Sequence, residues 1–206
     1  LSRWLVGFEV DFLEFFSGEG FLSTAISREG CSVGLGIDVA YAAYGQSWDL
    51  RLESSVCRLR FLICDVLRPR GLHLGLNCAP WGSLGNKVPG PSDWKLADLT
   101  IDLLQHQEVG FNLGSFEGPL VHSLVRSQKW VRAFGSPGAP RAPWSYTEVD
   151  GCQVHTVWPD PNAEPLPIKK PYRLMSNFSL SGLDLRCRRG CAIEVLLPPM
   201  IAAIDP

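Results

Sequence analysis

Between Val10 and Asp38 the chain reads VDFLEFFSGEGFLSTAISREGCSVGLGID, and this stretch decides the fold class. Val10 to Phe16 is apolar and aromatic enough for a buried strand, and the run from Ser17 to Gly20 turns it sharply. Phe21, Leu22, Ala25 and Ile26 then share one face of a helix over Phe21 to Arg28. Glu29 and Gly30 stop that helix, and Cys31 to Ile37 reads as a second strand closing on Asp38. A strand, a glycine turn, a helix and a strand form the unit that joins parallel strands, and such crossovers are right-handed almost without exception. The segment therefore predicts an open α/β sheet.

Working outward, Arg58 to Leu67 spaces Leu59, Leu62, Ile63 and Val66 for one buried helix face, ended by Pro69 and Gly71. Leu72 to Leu76 alternates like a short strand and runs into Asn77-Cys-Ala-Pro-Trp81 and a Gly-, Ser- and Pro-rich loop to Ser92. Lys95 to Glu108 carries leucines at helical spacing, and Val109 to Phe116 reads as a strand ending at Glu117-Gly-Pro119. Val121 to Phe134 reads as an amphipathic helix and the Pro/Gly-rich stretch 135–144 as a loop. Strands are expected near Val149 to Val157 and Tyr172 to Ser176. There is no internal repeat.

The whole chain, 206 residues with 46% hydrophobic and 19% charged, suits a single well-buried domain and excludes a disordered polar chain. Within it, residues 9–119 carry the motifs and 120–206 form a C-terminal part. Charged residues, Gly or Pro interrupt every apolar run short of the roughly 20 residues of a spanning helix. Leu1 to Val10 carries Arg3 and Glu9 without a long apolar stretch, so no signal peptide is expected. A net charge of −2 gives no general attraction to phosphate, and any nucleic-acid site must be a local patch. The seven cysteines are odd in number and scattered, which argues for an intracellular, reducing setting without distinguishing nucleus from cytoplasm.

Three features carry chemistry. The Phe16-Ser-Gly-Glu-Gly20 turn lets backbone N–H groups approach a ligand, although its glycine spacing is shorter than the dinucleotide fingerprint and a structural turn explains it equally well. Asp38 follows the second strand, where nucleotide-binding α/β folds hold ribose hydroxyls. Cys78 lies directly after a predicted strand at the same sheet edge, in a turn stiffened by Pro80 and Trp81, and Glu117 ends the next strand. A thiolate beside a carboxyl group is a covalent-catalysis pairing, whereas an isolated cysteine can equally be a buried small hydrophobe. His73 and His155 lie in or near predicted strands without a paired acid evident in sequence and read as structural residues. Cys187 and Cys191 have no second pair at zinc-site spacing, so no metal is expected. The tryptophans, Trp81, Trp94, Trp130, Trp144 and Trp158, read as core and loop packing rather than base-stacking platforms.

The run Glu14 to Ser23, the acid Asp38, the Asn77-Cys-Ala-Pro-Trp81 turn and the Phe116-Glu-Gly-Pro119 turn follow the order and approximate spacing of cytosine-C5 DNA methyltransferases. Over residues 9 to about 119 the chain resembles a compact, divergent relative of that family. The resemblance implies a Rossmann-like, class I methyltransferase fold: an open, mostly parallel sheet with helices on both faces. It implies S-adenosyl-L-methionine (SAM) as cofactor, held by Phe16, Ser17, Gly18, Gly20 and Asp38, with Asp49 as the acid near the adenine. It also implies Cys78 as the nucleophile at C6 of cytosine and Glu117 as its partner at N3. A cytosine in duplex DNA must leave the stack to reach such a site. The chain has Asn77 and Ala79 where the family has Pro and Gln around the cysteine, and Gly118 and Pro119 where it has Asn and Val after the glutamate. Arg173 is the nearest counterpart of the family's active-site arginine, and no large target-recognition region is present. A partner nucleic acid, DNA or RNA, would meet a basic patch formed by Lys169, Lys170, Arg173, Arg186, Arg188 and Arg189. The alternative function is a catalytically inactive, methyltransferase-like binding or interaction module.

Overall fold

A computed structural model describes residues 10–16, 20–40, 42–76, 80–81, 88–119, 122–150, 168–169, 171–180 and 192–193. Its strands in chain order are β1 (Phe12–Phe15), β2 (Gly71–Leu74), β3 (Leu113–Pro119), β4 (Gly135–Ser136), β5 (Ala139–Pro140), β6 (Ser145–Asp150), β7 (Ile168–Lys169), β8 (Pro171–Ser176) and β9 (Ala192–Ile193). The helices are α1 (Phe21–Arg28), α2 (Glu53–Phe61), α3 (Pro91–Val109) and α4 (Gln128–Phe134). Five strands form one sheet in the order β1-β2-β3-β8-β6. β1, β2 and β3 are mutually parallel, and β8 and β6 add antiparallel at the far side. The open α/β sheet predicted from the first forty residues is therefore present, parallel in the half that carries the motifs and mixed overall. No helix among the described residues is long and apolar enough to cross a membrane.

Burial follows from register. Residues of β2 are buried at all four positions, as expected of a central parallel strand covered on both faces. Alternation along the paired strands places Leu13, Phe15, Leu72, Leu74, Phe116 and Met175 on one face. Helices α3 and α4 close that face with an aromatic chain. Phe116 meets Trp130 at 4.7 Å, Trp130 meets Phe134 at 4.9 Å, and Phe134 meets Trp144 at 4.8 Å between ring centroids. The indole N–H groups are not left unpaired: Trp130 donates to the Tyr146 hydroxyl and Trp144 to the Glu108 carboxylate. Gly114 is needed here, because a Cβ would stand 3.0 Å from the Trp144 ring and 3.2 Å from Leu104.

The opposite face is different. Glu14, His73, Ser115, Ser176 and Ser145 lie in one cross-strand row, each directly opposite the next. Helix α1 packs on this side, because the Glu14 carboxylate accepts hydrogen bonds from both the backbone N–H (2.9 Å) and the hydroxyl (2.7 Å) of Ser23. The Ncap of α1 is Gly20, left-handed at φ 66° and without a capping side chain, and the first turn contains no acid. Glu14 supplies from the neighbouring strand both the acceptor and the negative charge that the helix N-terminus lacks.

Several sequence expectations move. The predicted second strand, Cys31 to Ile37, runs beside β1 but makes only isolated parallel bridges, Val33 to Phe12 and Ile37 to Phe15. Its ladder is interrupted because Asp11 takes the backbone N–H and hydroxyl of Ser32, and Gly34 and Gly36 lack side chains to pack. The helix expected from Arg58 starts earlier, at Glu53, and widens into a π-helix over Leu62–Leu67 that keeps Ile63 and Leu67 buried. Helix α3 begins at Pro91 rather than Lys95, since Pro suits the first helical position and Asp93 accepts the Gly90 N–H. It runs through Val109, so the following strand starts at Leu113, and pairing with β8 carries that strand through Glu117 and Gly118 to Pro119, where a turn was expected. The helix expected over 121–134 is a 3₁₀ turn, Ser123–Arg126, followed by α4, because the Ser127 hydroxyl caps a fresh start by accepting the Trp130 N–H. The stretch 135–144 contains a minimal hairpin, β4 with β5, and the strand placed at 149–157 begins at Ser145. Residues beyond Asp150 in that prediction lie outside the described residues, whereas the strand at Tyr172–Ser176 is found as β8.

Removing the cap is the simplest test of this arrangement. Glu14→Ala is expected to lower unfolding free energy by roughly 1–2 kcal/mol in urea titrations, and Glu14→Gln by less, since its amide oxygen still accepts from Ser23.

Candidate active site at the carboxyl edge of the sheet

Parallel strands end on the same side, and hydrogen bonds bring three of those ends together. The Phe16 N–H donates to the Ile37 carbonyl (2.8 Å), and the Gly75 N–H donates to the Phe15 carbonyl (3.1 Å). β2 and β3 pair in register up to Leu74 and Phe116, which puts Glu117 one step beyond, level with Gly75. Phe16, Asp38 and Glu117 thus share one edge, with Gly20 opening α1 beside it. Phe16 is left-handed at φ 54°, an unusual state for a bulky residue, and Gly20 is left-handed at φ 66°. The two reversals bracket the turn that holds Ser17 and Gly18, which lie outside the described residues. Asp38 is fixed in orientation by accepting the Ala40 N–H at 2.9 Å.

Cys78 also lies outside the described residues, but both flanks of its turn are anchored. Leu76 is buried at the end of β2, and Trp81 is buried with its carbonyl accepting from the Ser123 N–H (2.8 Å) and hydroxyl (3.1 Å). The described residues on either side of Cys78 are thus fixed, Gly75 against Phe15 and Trp81 against Ser123. Asp49 has a different environment. Its carboxylate is gripped at both oxygens by the Arg51 guanidinium, at 2.8 Å each, which holds its pKa below the usual carboxylate range.

Around Glu117 the structure adds two histidines: His73, which the sequence reading took as structural, and His122, which it passed over. His73, buried on β2, is hydrogen-bonded through Nδ1 to the Ser115 hydroxyl at 2.9 Å, and its Nε2 stands 3.9 Å from Glu117 Oε2. The acid partner absent from the local sequence arrives from the next strand. His122 lies on the other side of β3. Its ring stacks on Trp81 (6.1 Å, 14°) and meets Phe116 edge-on, and neither ring nitrogen has a hydrogen-bond partner among the described residues. Gly118 answers to this packing: a Cβ there would stand 2.7 Å from His122 Cδ2. The glycine after Glu117 is thus required by a ring that fills the space of a side chain. Glu14 and His73 left a legible trace, each being a polar residue inside an otherwise apolar strand.

Of the predicted basic patch, Arg173 is described with its side chain, and it is mostly buried on β8, paired with Glu148 at 2.7 Å. Its position opposite Gly118 places it beside the end of β3 rather than in open solvent. Lys169 is in β7, and Lys170, Arg186, Arg188 and Arg189 lie outside the described residues. The described cysteines Cys31, Cys57 and Cys64 are free thiols. Trp81, Trp130 and Trp144 are buried in packing, as expected, while Trp94 is partly exposed with its ring against Trp81.

No family model matches the chain, and no curated protein matches it. Among solved structures it is similar to a DNMT2 mutant from Spodoptera frugiperda, with 12% identity and a TM-score of 0.43 over 88% of this chain and 53% of that one. It is also similar to the Dnmt2 methyltransferase of S. pombe, with 11% identity and a TM-score of 0.41 over 83% of this chain and 51% of that one. The chain spans about half the length of these two proteins.

Burial pushes both His73 and His122 down to about 4. Unfolded, they titrate near 6.5, so between about pH 6.5 and 4 the unfolded chain binds more protons and stability falls as the pH falls. The loss expected between pH 7 and 5 is on the order of 2 kcal/mol for each imidazole. Urea titrations at the two pH values should show this slope, and His122→Phe, which keeps the stack on Trp81, should remove about half of it. An unchanged slope in that variant would contradict the assignment.

Proposed function

We propose that the chain is a SAM-dependent methyltransferase acting on C5 of cytosine in nucleic acid, with Cys78 as nucleophile and Glu117 as its partner at the pyrimidine. The observation that carries this reading is the convergence of Phe16, Gly20, Asp38 and Glu117 at the sheet edge where the anchored turn bearing Cys78 leaves β2. The described residues of these motifs lie at the edge where α/β folds bind their ligands, which supports the reading.

The charge at the first turn favours the cofactor class. A dinucleotide places its pyrophosphate on free N–H groups at a helix N-terminus. Here the Glu14 carboxylate already occupies that place on α1 through Ser23. A pyrophosphate is opposed there, whereas SAM, whose sulfonium and ammonium charges outweigh its single carboxylate, is compatible. Asp38, turned by the Ala40 N–H, would take the ribose hydroxyls, and Phe16 and Gly20 would shape the turn around the amino-acid end.

The chain's own chemistry follows. The Cys78 thiolate adds to C6 of cytosine, while Glu117 hydrogen-bonds or protonates N3 and so accepts the charge that develops in the ring. C5 becomes an enamine carbon with an available electron pair. SAM, when bound, would supply an electrophilic methyl group for that carbon, with the neutral thioether S-adenosylhomocysteine as leaving group. Loss of the C5 proton to solvent water then lets its electron pair restore the C5–C6 double bond, break the C6–S bond and return the Cys78 thiolate. The second reading, an inactive binding module, is favoured by the His122 ring packed against Gly118, a local rebuilding of the strand end that holds Glu117.

Calorimetric titration with SAM separates the two readings: measurable affinity is expected, weakened at least ~10-fold in Asp38→Ala, and no binding would leave the module reading. Cys78→Ala is expected to abolish methyl transfer with SAM affinity retained, and a 5-fluorocytosine oligonucleotide should form a covalent adduct with the unmodified chain and none with the variant. Transfer by Cys78→Ala at the wild-type rate would sink the covalent mechanism.

A further inference from the structure

We infer that His73 is a positioning residue of this site: its Nε2–H orients the Glu117 carboxylate, and the Ser115 hydroxyl fixes the imidazole tautomer that makes this possible. The inference rests on the reading of Glu117 as the group that meets the pyrimidine.

The argument starts from cost. His73 is 7% exposed in a central parallel strand whose neighbours Leu72 and Leu74 show what that environment selects. A leucine would fill the position without desolvating two ring nitrogens, and a buried polar atom left unpaired costs about 1–3 kcal/mol. One nitrogen is satisfied by Ser115, and the other is turned toward Glu117. Ser115 and Glu117 are two apart on β3, so both project from the same face as His73. The charged groups facing the ring are Glu14, directly opposite on β1, and Glu117. Glu14 is committed to Ser23, which leaves Glu117 as the acid at His73 Nε2.

The tautomer decides the sign of the interaction. When the Ser115 hydroxyl donates to Nδ1, the proton resides on Nε2 and meets a carboxylate oxygen. The reverse tautomer would aim a lone pair at that oxygen and repel it. The 3.9 Å separation exceeds a direct hydrogen bond. The Glu117 side chain is 43% exposed, and a swing of about 1 Å, or one bridging water, closes the distance. Burial keeps His73 neutral at physiological pH, with a pKa of about 4. A cationic partner would lock Glu117 into an ion pair and oppose its taking a proton. A neutral N–H orients the carboxylate and leaves it able to serve the base.

Nitrogen-15 NMR of the full chain labelled at histidine tests the inference without requiring activity. At pH 7 His73 is expected as the Nε2–H tautomer, with a mixed population in Ser115→Ala and a displaced Nε2 resonance in Glu117→Gln. An Nδ1–H tautomer in the wild type overturns the proposal. Methyl-transfer kinetics on a cytosine-containing duplex supply the second arm. His73→Leu should lower kcat at least ~10-fold with SAM affinity by calorimetry unchanged, and His73→Gln, which retains an N–H donor, should recover part of that loss. A wild-type rate in His73→Leu overturns the proposal. If the wild type transfers no methyl group, the methyltransferase reading fails, and the tautomer alone decides whether His73 donates to Glu117.

Discussion

Parallel pairing of β1, β2 and β3 is the constraint from which the rest follows. Parallel neighbours cannot be joined by a tight hairpin, so the chain must cross over and re-enter from the far side each time. Every segment that leaves a strand's carboxyl end therefore emerges at one edge. Phe16, Gly75 and Glu117 are far apart in sequence and come level at that edge for this reason. The antiparallel addition of β8 and β6 closes the far side of the sheet without disturbing that edge, and it brings Arg173 level with Gly118.

The two faces of the sheet divide the work. One is held by aliphatic and aromatic contact, with Phe116 starting an uninterrupted series of rings through Trp130 and Phe134 to Trp144. Such packing is dense and resists change in volume. The other face carries a polar row, from Glu14 to Ser145, whose members bond to named partners. Glu14 bonds Ser23, His73 bonds Ser115, and the Ser176 hydroxyl donates to the Phe178 carbonyl. The apolar face fixes where the strands lie, and the polar face fixes which groups can reach the edge and in what orientation.

What was legible in the sequence was local. Gly20, Glu29 and Gly30 punctuate α1 so sharply that its span follows directly from the residues, and the strand expected at Tyr172 to Ser176 is β8. Element ends drifted where a tertiary or capping partner decides them: Asp93 for the start of α3, Ser127 for the break before α4, Asp11 for the interrupted second strand. The edge itself was predictable from strand order, and so was the placement of Asp38 and Glu117 on it. The partnership of His73 with Ser115 and Glu117 was not, because it crosses from one strand to the next over 42 residues and depends on a register that no short window contains. The role of Glu14 was hidden in the same way, as a strand residue acting as a helix cap.

The contact between Gly118 and His122 has a consequence for how this sequence can vary. The ring and the absent side chain occupy one volume, so substitution at either position is coupled to the other. Among chains that share this turn, a side chain after the glutamate should accompany a small residue four positions later, and glycine should accompany a ring. The departure of Gly118 from the methyltransferase pattern is then one half of an exchange rather than an isolated loss. The pair gives a coordinate along which relatives of this chain could be sorted.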